Sequence, residues 1–114
     1  MSWGTVEEEP EVHKWLEELS DQDFGHVAFY IELLADNGPK LDEPHTRQLE
    51  GKVRELRFHM GTEQHRISYW IASGRRIILL THFRKTRTRE RRQIRRALDA
   101  YDRCVDERHD TEDD

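Results

Sequence analysis

Apolar residues recur along this chain with two different periods, and the change from one to the other divides it. Between Glu11 and Leu19, the residues Val12, Trp15, Leu16 and Leu19 fall at i, i+3, i+4 and i+7, the apolar stripe of a helix. Pro10 suits the first turn of that helix, where a backbone N–H is dispensable. Ser20 followed by Asp23 resembles a capping box with Asp in place of Glu. Phe24, Val27, Ala28, Ile31, Leu34 and Ala35 then carry helical spacing to Asn37-Gly38-Pro39, where Gly accepts left-handed backbone and Pro blocks continuation. Two helices joined this closely predict an antiparallel hairpin. Lys40–Glu50 shows no clear period and is read as a connecting loop. Trp3–Glu9 is short and ambiguous, with a weak edge strand as one option.

From Lys52 the pattern becomes that of strands. Val53, Leu56 and Phe58 mark a first strand ending near His59, and Met60–Glu63 supplies a turn. Arg66–Ala72 alternates, with Ile67, Tyr69 and Ile71 on one face and Arg66, Ser68 and Trp70 on the other. After the turn signal Ser73-Gly74, Arg76–Phe83 contains Ile77-Ile78-Leu79-Leu80, apolar on both faces as a central strand requires. Short connections make these three strands an antiparallel meander. A last helix spans about Thr88–Cys104, with Ile94, Ala97, Leu98 and Tyr101 as its apolar stripe. The predicted fold is α+β: a small twisted, mainly antiparallel sheet packed on an N-terminal helical hairpin, with a C-terminal helix. One domain covers residues 1–105, and the acidic tail 106–114 lacks any apolar period and is expected to be disordered.

Composition narrows the function classes. With 34% hydrophobic and 38% charged residues among 114, the core must be thin, and Trp15, Phe24, Phe29, Tyr69, Trp70 and Phe83 are the aromatic residues available to fill it. A single cysteine, Cys104, excludes an internal disulfide and a cysteine-only zinc site. No signal-peptide core or long apolar run is present, so a soluble cytoplasmic protein with no membrane partner is expected. The net charge of -5 hides a segregation. Residues 1–39 carry one lysine against ten acidic residues, residues 40–96 carry 16 Lys and Arg against six acidic residues, and residues 97–114 carry two arginines against eight. A middle segment this basic can attract a polyanion although the whole chain is acidic. Arg89, Arg91, Arg92, Arg95 and Arg96 load the first half of the last helix, where exposed cations oppose the macrodipole by about 0.3–1 kcal/mol each. A local rule broken repeatedly in one place points to a use for the charge.

Four stretches, "WLEELSDQD", "IELLADNGPKLDEPHTRQLEGKVRELRFH", "HRISYWIASGRRIILLTHFRKT" and "RRQIRRALDAY", together resemble the RelE/HigB toxin superfamily, and within it the phage-derived, HigB-like branch. The ordered set L-x-G-x-x-x-E-L-R, R-I-x-Y and LLT-x-F-x-K carries the likeness, which covers about residues 11–103. The resemblance implies a RelE-like fold and the toxin of a type II toxin–antitoxin pair. It implies an mRNA endoribonuclease acting on the ribosome, with a neighbouring antitoxin, often a helix-turn-helix protein, as partner. Two other readings share the same basic surface: a noncatalytic nucleic-acid-binding module, and an inactive phage-derived homologue that only binds its antitoxin.

Such cleavage uses the ribose 2′-hydroxyl against the adjacent phosphate. It needs a base, cations for the developing charge and an acid for the leaving oxygen, and no metal or other cofactor. The seven histidines are scattered without metal-ligand spacing, though His59 and His65 flank a hairpin tip and could meet. Leu56 and Phe58 point to the core, so Arg57 should face the open side of the sheet with His59 beside it, and Arg66 should lie across the hairpin. The resemblance places Arg57, Arg66 and Lys85 inside matching motifs as phosphate-binding and polarising groups, with Arg66 foremost because a guanidinium grips two oxygens. His59 is the acid or base candidate. Arg84, Arg87, Arg89, Arg91, Arg92 and Arg95, with Arg96, are expected to contact RNA through charge density. Tyr69 and His82 are read as packed, and Trp70 as either a base-stacking or a sheet-covering ring.

Overall fold

The computed structural model describes residues 2–86 and 90–107. Its elements are β1 (Thr5–Glu8), α1 (Pro10–Glu17), α2 (Asp21–Asn37), β2 (Thr46–Glu50), β3 (Val53–Met60), β4 (Glu63–Ala72), β5 (Arg76–Arg84) and α3 (Arg91–Glu107). The five strands form one sheet in the order β1-β5-β4-β3-β2. Every neighbour pair is antiparallel except β1 with β5, which runs parallel with Thr5 opposite Arg76. The α+β architecture, the helical pair and the C-terminal helix agree with the sequence reading.

The helices start and stop where the chain chemistry directs. Ser20 Oγ accepts the backbone N–H of Asp23 at 3.2 Å, capping α2. Gly38 ends α2 with φ +55°, packed against the Trp3 indole. Trp3 also donates its backbone N–H to Ala35 O at 2.9 Å, which fixes the start of β1 beside the end of α2.

The sheet is covered on both faces. Val12, Leu16, Val27 and Leu34 of α1 and α2 pack with Leu56, Phe58, Ile67, Tyr69, Ile77 and Leu79 on one face. Val53, Trp70, Ala72, Ile78 and Leu80 meet Ala97, Ala100 and Cys104 of α3 on the other. The strand β5 is therefore apolar on both sides because both sides are buried.

Two elements depart from the sequence reading, and one ambiguous segment is resolved. The loop expected over Lys40–Glu50 contains β2, an edge strand whose Thr46-Arg47-Gln48-Leu49-Glu50 is too polar to show the usual alternation. Trp3–Glu9 does hold an edge strand. The tail expected from Asp106 is helical through Glu107, since Cys104 is buried and Val105 packs beside it.

A β-bulge lies between the register pairs Ser68–Thr81 and Tyr69–Leu79. It leaves Leu80 as the extra residue and reverses the facing of every later position on β5. The backbone N–H of Thr81 is satisfied at the bulge by Ser68 Oγ at 3.0 Å.

Candidate functional site

The pairing of β2 with β3 runs out at Thr46–Leu56, and the last contact is Arg57 N–H to His45 O at 2.8 Å. Beyond it β3 has an open edge. A cleft of about 390 Å³ wraps that edge, lined by Tyr30, Pro44, His45, Arg57, Phe58, His59, Gln64 and Arg66. Strand register explains the lining. Arg57 faces Arg66 across β3 and β4, and His59 faces Gln64 in the next row. The bulge sets Phe83 opposite Arg66, and Lys85 N–H then bonds Gln64 O at 2.7 Å. By register, Lys85 joins the row of His59 and Gln64 on the face that carries Arg57 and Arg66. Without the extra residue at Leu80 it would fall on the opposite face.

The two cleft arginines differ in what holds them. Arg66 is 3% exposed, and its Nε lies 3.5 Å from the Glu55 carboxylate, itself 4% exposed. It also donates to His65 O and to Gln64 Oε1, each at 3.1 Å. Burial pulls the Arg66 pKa down from its ordinary value, and neighbouring Arg57 adds to this, while Glu55 and Glu90 oppose it. Burial pushes the Glu55 carboxyl up, and Glu90 pushes it further, against the pull of Arg66, Arg57 and Arg47. The expectation of an open Arg66 is therefore corrected. Its guanidinium is enclosed beside a carboxylate from the adjacent strand, because an unpaired charge at this depth would be far costlier. Arg57 is only half-buried, and its guanidinium makes no hydrogen bond or ion pair among the described residues. Its Nε is nevertheless shielded from solvent, a donor left over at the cleft wall.

The other cations are less concentrated. Arg84 pairs with Glu63 at 2.7 Å, and Lys85, Arg91, Arg92 and Arg95 are exposed. Arg84, Arg91 and Arg92 line a second cleft with Phe83, Thr86, Glu90 and Gln93 at the start of α3. Arg96 is engaged elsewhere: it reaches both Glu11 carboxylate oxygens at 2.6 Å and His82 O at 2.8 Å. Glu11 also accepts the His82 N–H at 3.1 Å, so α1 and α3 together clasp the edge of β5 where β1 ends. Arg87 and Arg89 lie outside the described residues.

The cleft also gathers groups that sequence spacing did not single out. Tyr30 comes from α2 and His45 from the segment before β2, and each reaches the cleft only through helix–sheet packing. The Tyr30 ring stacks on Phe58 with centroids 5.4 Å apart and meets His45 at 6.4 Å. Beyond Phe58 the ring series continues through His65 and His82 to Trp15, with Trp15 and His82 centroids 3.6 Å apart. His65 Nδ1 lies 2.9 Å from His82 Nε2, and burial drives the His82 pKa down to about 3, with His65 and Arg96 adding to the shift. His82 is thus packed as a neutral ring. Tyr69 is fully buried, and Trp70 lies under α3 edge-on to Tyr101, which removes it as a base-stacking surface. Among the described residues no group of three or more His, Cys, Asp or Glu side chains converges to hold a metal ion. None of their helices is long and apolar enough to cross a membrane.

Comparison with known proteins adds one relationship. Residues 14–102 match the model of a family described as Phage derived protein Gp49-like (DUF891). No curated protein matches the chain.

Proposed function

This chain belongs to the Gp49-like family of phage-derived proteins, a family associated with the toxins of toxin–antitoxin pairs, and on that footing we propose that it is a RelE/HigB-type toxin that cleaves messenger RNA on the ribosome. The observation that carries the reading is the Arg57 guanidinium, without a partner among the described residues, facing Arg66, with His59 lining the same cleft. Two guanidiniums on facing strands supply positive potential where a phosphodiester would gain charge. Arg57 contacts the phosphate, and Arg66, already held by Glu55, stands behind it as a fixed cation. Lys85 approaches from the neighbouring row. The 2′-oxygen attacks phosphorus as its proton passes to a base, and the bond to the 5′-oxygen breaks as that oxygen takes up a proton. A 2′,3′-cyclic phosphate and a free 5′-hydroxyl result. His59 is exposed, lines the cleft and serves as acid or base. The exposed Arg91, Arg92 and Arg95, with Arg84, Arg87 and Arg89, serve as contacts to ribosomal or messenger RNA. A helix-turn-helix antitoxin is the proposed inhibitor.

The test is expression of the chain alone and beside its neighbouring gene, with primer extension on translated messages. Growth arrest, relieved by the neighbour, and new 5′ ends inside open reading frames are expected. Arg57→Gln should lower cleavage at least about tenfold, roughly 1.4 kcal/mol on the barrier. Unimpaired growth with soluble protein, or arrest without cleavage, would favour the noncatalytic readings.

A further inference from the structure

The aromatic side of the cleft is unaccounted for by phosphate chemistry. Tyr30 and His45 line it opposite the arginines, and Phe29 beside Tyr30 is 62% exposed, the most exposed large apolar side chain among the described residues. The Phe29 and Tyr30 rings sit edge to face with centroids 5.2 Å apart, and His26 meets Tyr30 edge-on at 5.4 Å. His26 Nε2 also donates to His59 O at 2.6 Å, which ties this stretch of α2 to the open end of β3. The wall is therefore fixed in place and not a loose surface cluster. Leaving a phenyl ring in water gives up the burial that most such rings obtain. The Tyr30 and His45 rings and the Arg57 guanidinium line one cleft and supply the two elements that single-stranded nucleic acid requires: a π-face for a base and a cation for its phosphate.

We propose that the cleft is a stacking subsite for single-stranded RNA, in which a phosphate at Arg57 places the adjoining nucleobase against the aromatic wall of Tyr30 and His45, which Phe29 extends beyond the cleft from its edge-to-face contact with Tyr30. This rests on the RNA-directed reading of the cleft and deepens it by assigning base recognition to α2. Stacking tolerates any base, so the subsite orients the strand and adds affinity without a strict sequence code. It also accounts for an exposed phenylalanine at a position where a polar residue would serve a solvated helix face equally well.

The experiment uses the whole protein and two short probes of equal charge. One is a 2′-O-methyl hexanucleotide, in which the blocked 2′-oxygen prevents cleavage; the other is its abasic counterpart, with the same phosphates and no bases. By fluorescence anisotropy the wild type should bind the base-bearing probe about tenfold more tightly. Tyr30→Leu should remove most of that preference and Phe29→Ser part of it, whereas Tyr30→Phe should keep it. Arg57→Gln should weaken both probes alike. Phe29 is mostly exposed, so its replacement keeps the fold, and thermal melts verify this for the Tyr30 variants. Equal binding of the two probes by the wild type, no binding of either, or a preference that survives Tyr30→Leu would overturn the subsite. Ribosomal cleavage with equal probe binding would sink this inference alone. Base-dependent binding without any cleavage would sink the nuclease reading and leave the subsite standing.

Discussion

Replacing Arg66 with Met isolates the buried pair behind the cleft. Arg66 Nε and the Glu55 carboxylate are 3.5 Å apart and both nearly enclosed. At that spacing their attraction is about 5 kcal/mol for an effective dielectric near 20, but desolvation of the two charges offsets most of it. The informative quantity is what remains when one partner goes. An uncompensated Glu55 carboxylate takes up a proton in preference to staying charged, since burial already pushes it above its ordinary value of 4.5. Protonating such a group at pH 7 costs about 3.4 kcal/mol, roughly 2.5 units at ~1.36 kcal/mol each. The electrostatic loss is therefore capped near 3 kcal/mol, and Arg57 and Arg47, which still attract the carboxylate, reduce it. At pH 5 the same ceiling is about 0.7 kcal/mol. The sign follows from linkage. A carboxyl whose folded pKa is raised favours the folded state below about pH 4.5, and that contribution is lost as pH rises. Removing Arg66 raises the pKa further and deepens the loss at neutral pH. Urea unfolding of wild type, Arg66→Met, Glu55→Gln and the double variant, at pH 7 and pH 5, measures this. The single Arg66 variant should fall behind the wild type by about 2–3 kcal/mol at pH 7 and by much less at pH 5, and Glu55→Gln should restore most of the deficit. A deficit independent of pH, or a double variant no better than the single, would refute the reasoning.

Two further outcomes are expected. His82, depressed to about 3 by burial, stabilises the fold above its unfolded value of 6.5 and loses that contribution as pH falls towards 3. Unfolding free energies from urea titrations should therefore drop by about 1–2 kcal/mol between pH 6.5 and 5, allowing for the partly solvated ring, and His82→Gln should flatten that limb; a wild type insensitive to this window would contradict it. Gly38→Ala should cost at least about 2 kcal/mol in a thermal melt, because φ is +55° and the new Cβ would run into the Trp3 indole. Gly51→Ala, at φ +57° with nothing within 4 Å, should cost only the backbone share, and equal losses at both sites would contradict the packing argument.

Much of this fold was legible because single-period patterns map onto single buried faces. The stripe of Val12, Leu16, Val27 and Leu34 identified the paired helices, and the unbroken Ile77–Leu80 identified a strand covered on both sides. What escaped notice depends on partners distant in sequence. Thr46–Glu50 is recognisable as a strand only through β3, since four of its five residues are polar. Counting parity along β5 fails at the bulge, so the facing of Lys85 could not be read by alternation. The sequence placed Arg57, Arg66 and His59 together, and the cleft contains all three. It did not reveal that Glu55, two positions before Arg57, would turn Arg66 inward. A charged residue of the same parity on the adjacent strand was the available signal. Tyr30 and His45 had no such signal, because their approach is set by the docking of α2 and by the last turn before β2.

The parallel pairing of β1 with β5 constrains how a newly made chain matures. Thr5 waits for Arg76, so the first strand finds its neighbour only after most of the polypeptide has been synthesised. Until β5 emerges from the translating ribosome, α1 and α2 lack Ile77 and Leu79 from the floor they pack on, and β4 lacks one of its two flanking strands. Nascent chains shorter than this point already carry Tyr30, His45, Arg57 and Arg66, yet they lack the strand that holds β4, and with it Arg66, in register.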